Sequence, residues 1–319
     1  MQNFFIFEIL LDIKNFFREN CFMNEIEFYK KTSCFTELGL YKNFVQALPD
    51  DIRVLCLLQR HQIIHPVAIM KCGGIGAKSS QPILTFHGDM TQIPCDSLLF
   101  ENERFPTALS ILAELLRREN EYSCERKIQN KMHLTCREQA ILLTAILKAK
   151  GIPARVRSGF APYISNDGVF HDHWICERFC DKENRWILTD ADCCVENLDF
   201  DFADIPCDKF LFGAQSYLKI RNKEICDNAL EYASVPPTHG MRAALQSLFY
   251  DLHSLMNDEI FFWHSPRYIV EKNFDLSQAE FEELDSIANL MLEPSKNFEK
   301  ICDIWENTPK VRIVSGGFN

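Results

Sequence analysis

The chain is short of positive charge. Against 34 Lys and Arg stand 45 Asp and Glu, a formal net charge of −11 over 319 residues. That balance argues against non-specific binding to nucleic acid and weakens attraction to an anionic bilayer, although a small local basic patch is not excluded. Long uncharged hydrophobic runs are also lacking, and with them any transmembrane helix. The most apolar stretch, MQNFFIFEILLDIKNFF, is interrupted by Glu8, Asp12 and Lys14. It has neither the basic start nor the small-residue cleavage site of a secretory signal. Its polar residues Glu8, Asp12 and Asn15 fall at helical spacing, so residues 1–22 read as a helical extension packed on the body of the protein. A helix lying on a membrane surface is the alternative.

Internal repeats, low-complexity tracts and long linkers are absent as well. The 14 cysteines follow no regular framework, and a long chain with 47% apolar residues has no need of one. The expectation is a reducing, cytoplasmic setting with mostly free thiols. No calcium-loop signature occurs. KCGGIGAKSSQP has the look of a phosphate-binding loop, but Ala77 stands where the Gly before Lys78 would be required. It reads as a plain turn. His171, His173, Cys176, Cys180, Cys193 and Cys194 could suggest zinc, but no clean C-x-x-C pair is among them and strand alternation would scatter them. No metal and no organic cofactor are expected.

What is present falls into three regions. From about Asn24 to Ile128, ELGLYKNFVQAL, DDIRVLCLLQRHQII and FPTALSILAELLRREN carry apolar residues at helical spacing. Asp50 or Asp51 suits the cap of the second helix, and Pro106 the first turn of the third. From Leu134 to about Asp192 the pattern changes. A helix from Cys136 to Lys150 stops at Gly151 and Pro153, and ARVRSGF, HWICERF and RWILTD read as three strands joined at SNDG and DKEN. This is an α+β arrangement, a helix packed on an antiparallel sheet. Beyond Cys193 the chain returns to helices at ALQSLFYDLHSLMNDEI and LSQAEFEELDSIANLML, with VRIV as a short final strand.

The middle region concentrates the chemistry. Cys136 opens an amphipathic helix, where free backbone N–H groups and the helix dipole favour a thiolate and can hold an oxyanion. His173 lies on the second strand and Asp190 ends the third, so adjacent strands can bring imidazole and carboxylate together. Alone, each has a plainer explanation: a buried thiol for Cys136, core aromatics for Trp174 and Trp186, a strand-surface carboxylate for Glu177. Cys193 and Cys194 read as packed thiols. One of Arg155 and Arg157 suits a buried ion pair.

Three ordered blocks make the stretch recognisable. CREQAILLTAILKAKGIPARVRSGF, HWICE and RWILTDAD resemble the nucleophile helix, histidine strand and aspartate strand of the transglutaminase-like superfamily of papain-like cysteine enzymes. The match covers roughly the middle fifth of the chain. A broader resemblance, through DHW-C-E and RW-L-DA signatures, is to a bacterial subgroup and would span about Asn24 to Arg267. It implies a single elaborated domain over residues 23–319, its core at 134–192 embedded in additional helices, with Met23 as an alternative start. In many members a tryptophan stands two residues after the histidine, whereas here Trp174 follows His173 directly. His171 therefore rivals His173, and Asp192 rivals Asp190; the spacings to Glu177 and Trp186 select His173 and Asp190.

The resemblance implies an enzyme whose Cys136–His173–Asp190 triad attacks amide bonds of a protein or peptide through a thioester. Water is the expected acceptor. A cross-linking enzyme with an amine acceptor and a silent binding protein of the same fold are the alternatives.

Overall fold

In the computed structural model, residues 24–66, 86–87, 101–165, 168–194, 197–233, 237–261 and 264–313 are described. The expected helix at 1–22 and the turn at 71–82 lie outside the described residues. The first region supplies three capped helices. Asn24 accepts the Ile26 N–H ahead of α1 (Glu25–Lys30), Asp51 accepts those of Arg53 and Val54 ahead of α2 (Ile52–Gln62), and Thr107 that of Ser110 ahead of α3 (Ala108–Arg118). Asp51 is thus the cap, not Asp50. Pro106 precedes the α3 cap and does not enter its first turn. ELGLYKNFVQAL breaks into a 3-10 turn, Gly39–Tyr41, and a short helix, Lys42–Gln46, with Gly39 at positive φ.

The helical pattern of DDIRVLCLLQRHQII stops two residues early. Ile63–Ile64 forms β1 and pairs in parallel with β2 (Met132–His133), and the Leu134 N–H donates to the Ile64 carbonyl at 3.2 Å. These two β-branched residues are worth more in a short ladder than at a fraying helix end. The ladder fixes the chain directly before α4 (Cys136–Ala149).

All fourteen residues of α4 are buried, so it is central and not amphipathic as its sequence suggested. The β-sheet and the helices of the first region both pack on it. Burying Ile141, Leu142, Leu143, Ile146 and Leu147 contributes about 1.5–3 kcal/mol each before entropy is counted. Its polar residues survive burial because they are paired. Arg137 donates to the Ile260 carbonyl at 2.9 Å, Gln139 to Asp192 at 2.6 Å and Lys148 to Asn257 at 2.8 Å. At the C-terminus Gly151 takes φ +80°, and the N–H groups of Gly151 and Ile152 cap carbonyls of the last turn.

The sheet follows. β3 (Ala154–Ala161), β4 (Phe170–Cys180) and β5 (Arg185–Thr189) are antiparallel, with Gly159 opposite His173 and Cys176 opposite Thr189. Three shorter strands add to them: β6 (Leu211–Phe212) beside β3, β7 (Leu230–Tyr232) parallel to β4, and β8 (Thr238–His239) beside β7. Gly159 allows β6 its approach, since a Cβ there would sit 2.3 Å from the Leu211 carbonyl oxygen.

Five helices complete the described chain: α5 (Gly213–Arg221), α6 (Gly240–Leu255), a short helix at Arg267–Glu271, α7 (Gln278–Met291) and α8 (Phe298–Asn307). Among the described residues of the expected VRIV strand, Val311 ends a 3-10 turn, Pro309–Val311, with proline at its start, and Arg312 and Ile313 form no strand. α6 packs on β3 through a buried ion network. Arg157 donates to both oxygens of Asp251, at 2.8 and 2.9 Å, and to Glu177 at 2.8 Å. Arg155 donates to Glu177 at 2.6 Å and to Glu25 at 2.8 Å. Both arginines are therefore structural, and Glu177 is a buried partner, not a strand-surface carboxylate. No helix among the described residues is long and apolar enough to cross a membrane. The architecture is α+β, with a papain-like arrangement of central helix and sheet.

Candidate active site

Cys136 is the first residue of α4. Thr135 precedes it, and both the backbone N–H and the hydroxyl of Thr135 donate to the Glu138 carboxylate, at 3.2 and 2.6 Å. This T-x-x-E pairing sets where the helix begins. The N–H groups of the first turn have no acceptor within the helix, so they remain available to a negative charge beside the sulfur. Cys136 is 7% exposed.

His173 and Asp190 come from neighbouring strands. His173 points from β4 where that strand pairs with Gly159, and Asp190 leaves β5 one residue after Thr189. His173 Nε2 lies 2.8 Å from Asp190 Oδ2. The carboxylate is held by more than the imidazole. Its Oδ1 accepts the backbone N–H groups of Asp192 at 2.9 Å and Cys193 at 3.1 Å, and its Oδ2 also accepts the Tyr163 hydroxyl at 2.9 Å. The sulfurs of Cys136 and Cys193 both lie near enough to the His173 ring to favour its protonated form.

The charges follow from this packing. Burial alone would lower the His173 pKa, but the adjacent Asp190 carboxylate raises it well above the usual histidine value. Burial would raise Asp190, but the imidazolium and the donated hydrogen bonds hold it below the ordinary aspartate value. Imidazolium and carboxylate thus form a buried pair. The thiol differs from expectation. Burial pushes Cys136 up, and the hydrogen bond and charge of His173 only partly offset it. The helix start does not by itself make a low-pKa cysteine when the sulfur is also desolvated.

The rivals are occupied elsewhere. His171 is half-buried, with Nδ1 3.5 Å from Glu231 on β7. Asp192 accepts Gln139 and lies 3.4 Å from the Arg60 guanidinium. Trp174 is core, tilted against Tyr250, and Trp186 stacks under Arg155 at 4.0 Å. The six-residue zinc set is not assembled, since Cys176 bonds Thr144 at 3.3 Å and Cys180 approaches Glu183 at 3.9 Å. Two further residues sit at the site: Tyr163, from the turn after β3, which no sequence pattern singled out, and Cys193, after β5, whose sequence reading was a packed thiol. Loop residues carry no periodicity to mark them, although the position of Cys193 three residues beyond Asp190 was a local cue. Two surface hollows, lined in part by Lys42, Lys148, Ala149 and Lys150, lie at the far end of α4. At 1.5 Å per residue that is about 18 Å from Cys136.

Residues 117–191 match the family model described as Transglutaminase-like superfamily. The match spans Cys136, β3, β4, β5 and Asp190, so this segment of the chain is similar to the transglutaminase-like superfamily. No curated protein matches the chain. Among solved structures, it is similar to "a Putative Cysteine Protease from Cytophaga hutchinsonii", with 14% identity, a TM-score of 0.32 and 60% of this chain covered. The chain spans 46% of that protein, less than half its length.

Proposed function

We propose that this protein is a cysteine hydrolase that cleaves amide bonds of a protein or peptide through Cys136, His173 and Asp190. One observation carries the reading: a single buried imidazole, 2.8 Å from the Asp190 carboxylate, also interacts with the sulfur of Cys136 at the start of a central helix. Asp190 occupies Nε2, which leaves Nδ1 for the thiol. Asp190 fixes the ring orientation and stabilises the imidazolium. The Cys136 sulfur, as thiolate, attacks the carbonyl carbon, and the first-turn N–H groups of α4 meet the oxygen that becomes negative. The imidazolium then gives its proton to the departing amine as the C–N bond breaks. Water, deprotonated by the now neutral His173, attacks the thioester and releases the acid and the free thiol. No step calls on a metal or organic group.

We also propose that the flanking helices belong to the same elaborated domain. One cluster of buried residues running from Leu38 to Val311, with the apolar residues of α4 inside it, supports this.

The test uses the chain's other cysteines as internal controls. Purified protein is treated with iodoacetamide and the labelling rate of each cysteine is followed by mass spectrometry. Cys136 labelling is expected to slow at least tenfold in His173→Ala, while exposed Cys124 and Cys226 are unchanged. Equal rates at Cys136 in both proteins would remove the basis for the reading. Candidate amide and ester donors are then screened for a hydroxylamine-sensitive adduct on Cys136. Incorporation of a fluorescent primary amine in place of hydrolysis would favour the cross-linking alternative.

A further inference from the structure

His173 and Asp190 have a third neighbour that the proposed reaction does not use. The Sγ of Cys193, a nitrogen of His173 and a carboxylate oxygen of Asp190 all lie within 4.8 Å of one another, and all three residues are buried. Among the described residues this is the one such grouping of His, Cys, Asp and Glu donors. We infer that Cys193, His173 and Asp190 form a binding site for a zinc-class divalent ion, and that the bound ion silences Cys136.

The donor set selects the class of ion. One thiolate, one imidazole nitrogen and one carboxylate oxygen are the ligands of a borderline ion such as zinc, whereas calcium or magnesium would call for oxygens throughout. Three protein ligands leave a fourth position for water. Tetrahedral coordination at zinc's bond lengths places donors about 3.3–3.7 Å apart. His173 Nε2 and Asp190 Oδ2, now 2.8 Å apart, need move by under about 1 Å. The carboxylate is already oriented, because Oδ1 is pinned by two backbone N–H groups and Oδ2 by Tyr163.

The charge balance also fits a divalent ion. Before binding, the imidazolium, carboxylate and neutral Cys193 thiol sum to zero. On binding, the proton on Nε2 and the proton on Cys193 leave to solvent. The dication then faces one thiolate, one carboxylate and a neutral imidazole, and the sum is again zero. A buried site that stays neutral avoids the cost of an uncompensated charge.

The consequence for Cys136 rests on the reaction proposed above. An ion on Nε2 leaves the ring's remaining proton on Nδ1, with no lone pair to take another. It also removes the Asp190 hydrogen bond that stabilises the imidazolium. Metal binding itself does not depend on that reaction.

The test is a titration of the metal-free full chain with Co2+ in a phosphine reductant, read by the thiolate-to-cobalt charge-transfer band. One Co2+ per chain, displaced by Zn2+, is expected. Affinity should fall at least tenfold in Cys193→Ser, Cys193→Ala and His173→Gln, each checked for folding by circular dichroism, and persist in Cys136→Ser. Zn2+ should slow Cys136 alkylation in the wild type but not in Cys193→Ser. Absence of the band, or an undiminished band in folded Cys193 variants, overturns the site. If the band behaves as expected but Cys136 labelling never depends on His173, the site stands and the proposed reaction falls.

Discussion

The Tyr163 hydroxyl and the His173 imidazole meet on the same oxygen of Asp190, at 2.9 and 2.8 Å. A loop tyrosine thus shares the carboxylate that faces the imidazole, and draws off part of its negative charge. A hydrogen bond to a charged acceptor is worth about 1.5–3 kcal/mol. In Tyr163→Phe, Asp190 is expected to hold the His173 proton more firmly, so the His173 pKa rises further. The basic limb of the Cys136 alkylation profile should move to higher pH, with a rate loss of about tenfold or less. Thermal denaturation of the same variant separates this from a purely structural effect, and an unmoved pH profile would mean that Tyr163 is only a packing residue.

The two histidines of β4 should behave differently. His173→Ala removes the group between sulfur and carboxylate, and the thioester-forming rate is expected to fall by about 10³ or more. His171→Ala touches a half-buried ring beside Glu231 and should stay within about threefold of wild type. Asp190→Asn retains the shape but not the charge, and a loss of about 10³–10⁴ is expected. Single-turnover kinetics with any trapped donor would measure all three, and a larger loss in His171→Ala would reverse the assignment.

Glu177 is a test of the scaffold. It sits between two buried guanidiniums, so Glu177→Gln leaves Arg155 and Arg157 facing each other without their shared anion. Breaking such a buried pair costs about 3–5 kcal/mol. Urea denaturation should show that loss with the denaturant slope unchanged. A change below about 1 kcal/mol would indicate that the network relaxes onto Asp251 and Glu25.

Acid should unfold the protein in two overlapping limbs. Burial lowers His133 from its ordinary 6.5 to about 3, and among the described residues neither ring nitrogen has a hydrogen-bond partner. As pH falls below 6.5 the unfolded chain takes up that proton and the folded one does not, so stability declines down to about pH 3. Burial would raise Glu177, yet Arg155 and Arg157 bring it from 4.5 down to about 2, so its contribution declines from pH 4.5 to about 2. His133→Leu should flatten the upper limb and Glu177→Gln the lower. Equilibrium denaturation from pH 7 to 3 measures both; identical slopes in wild type and His133→Leu would refute the first.

The central helix and three antiparallel strands were legible because each is long enough for its period to show. Cys136–Ala149 is closed by Gly151, and the strands at ARVRSGF, HWICERF and RWILTD end at recognisable turns. The strands at Leu211–Phe212, Leu230–Tyr232 and Thr238–His239 were not legible, since two or three residues carry no measurable alternation. Ile63–Ile64 was read as helix because its parallel partner lies some seventy positions away, at Met132–His133. The full burial of α4 was hidden for a related reason. Its Arg137, Gln139 and Lys148 look like a solvated face until Ile260, Asp192 and Asn257 are brought to them.

By itself, the sequence determined the α+β class, the limits of the central helix and the three ordered blocks that put forward Cys136, His173 and Asp190. Those are properties of local periodicity, capping and spacing. The tertiary structure alone decided what surrounds them. It turned Tyr163 and Cys193 onto the same imidazole–carboxylate pair, engaged Asp192 with Gln139, and buried Cys136 so that its thiol sits above the ordinary value. Loop direction and desolvation depend on which distant residues come to lie alongside, and no local pattern records that.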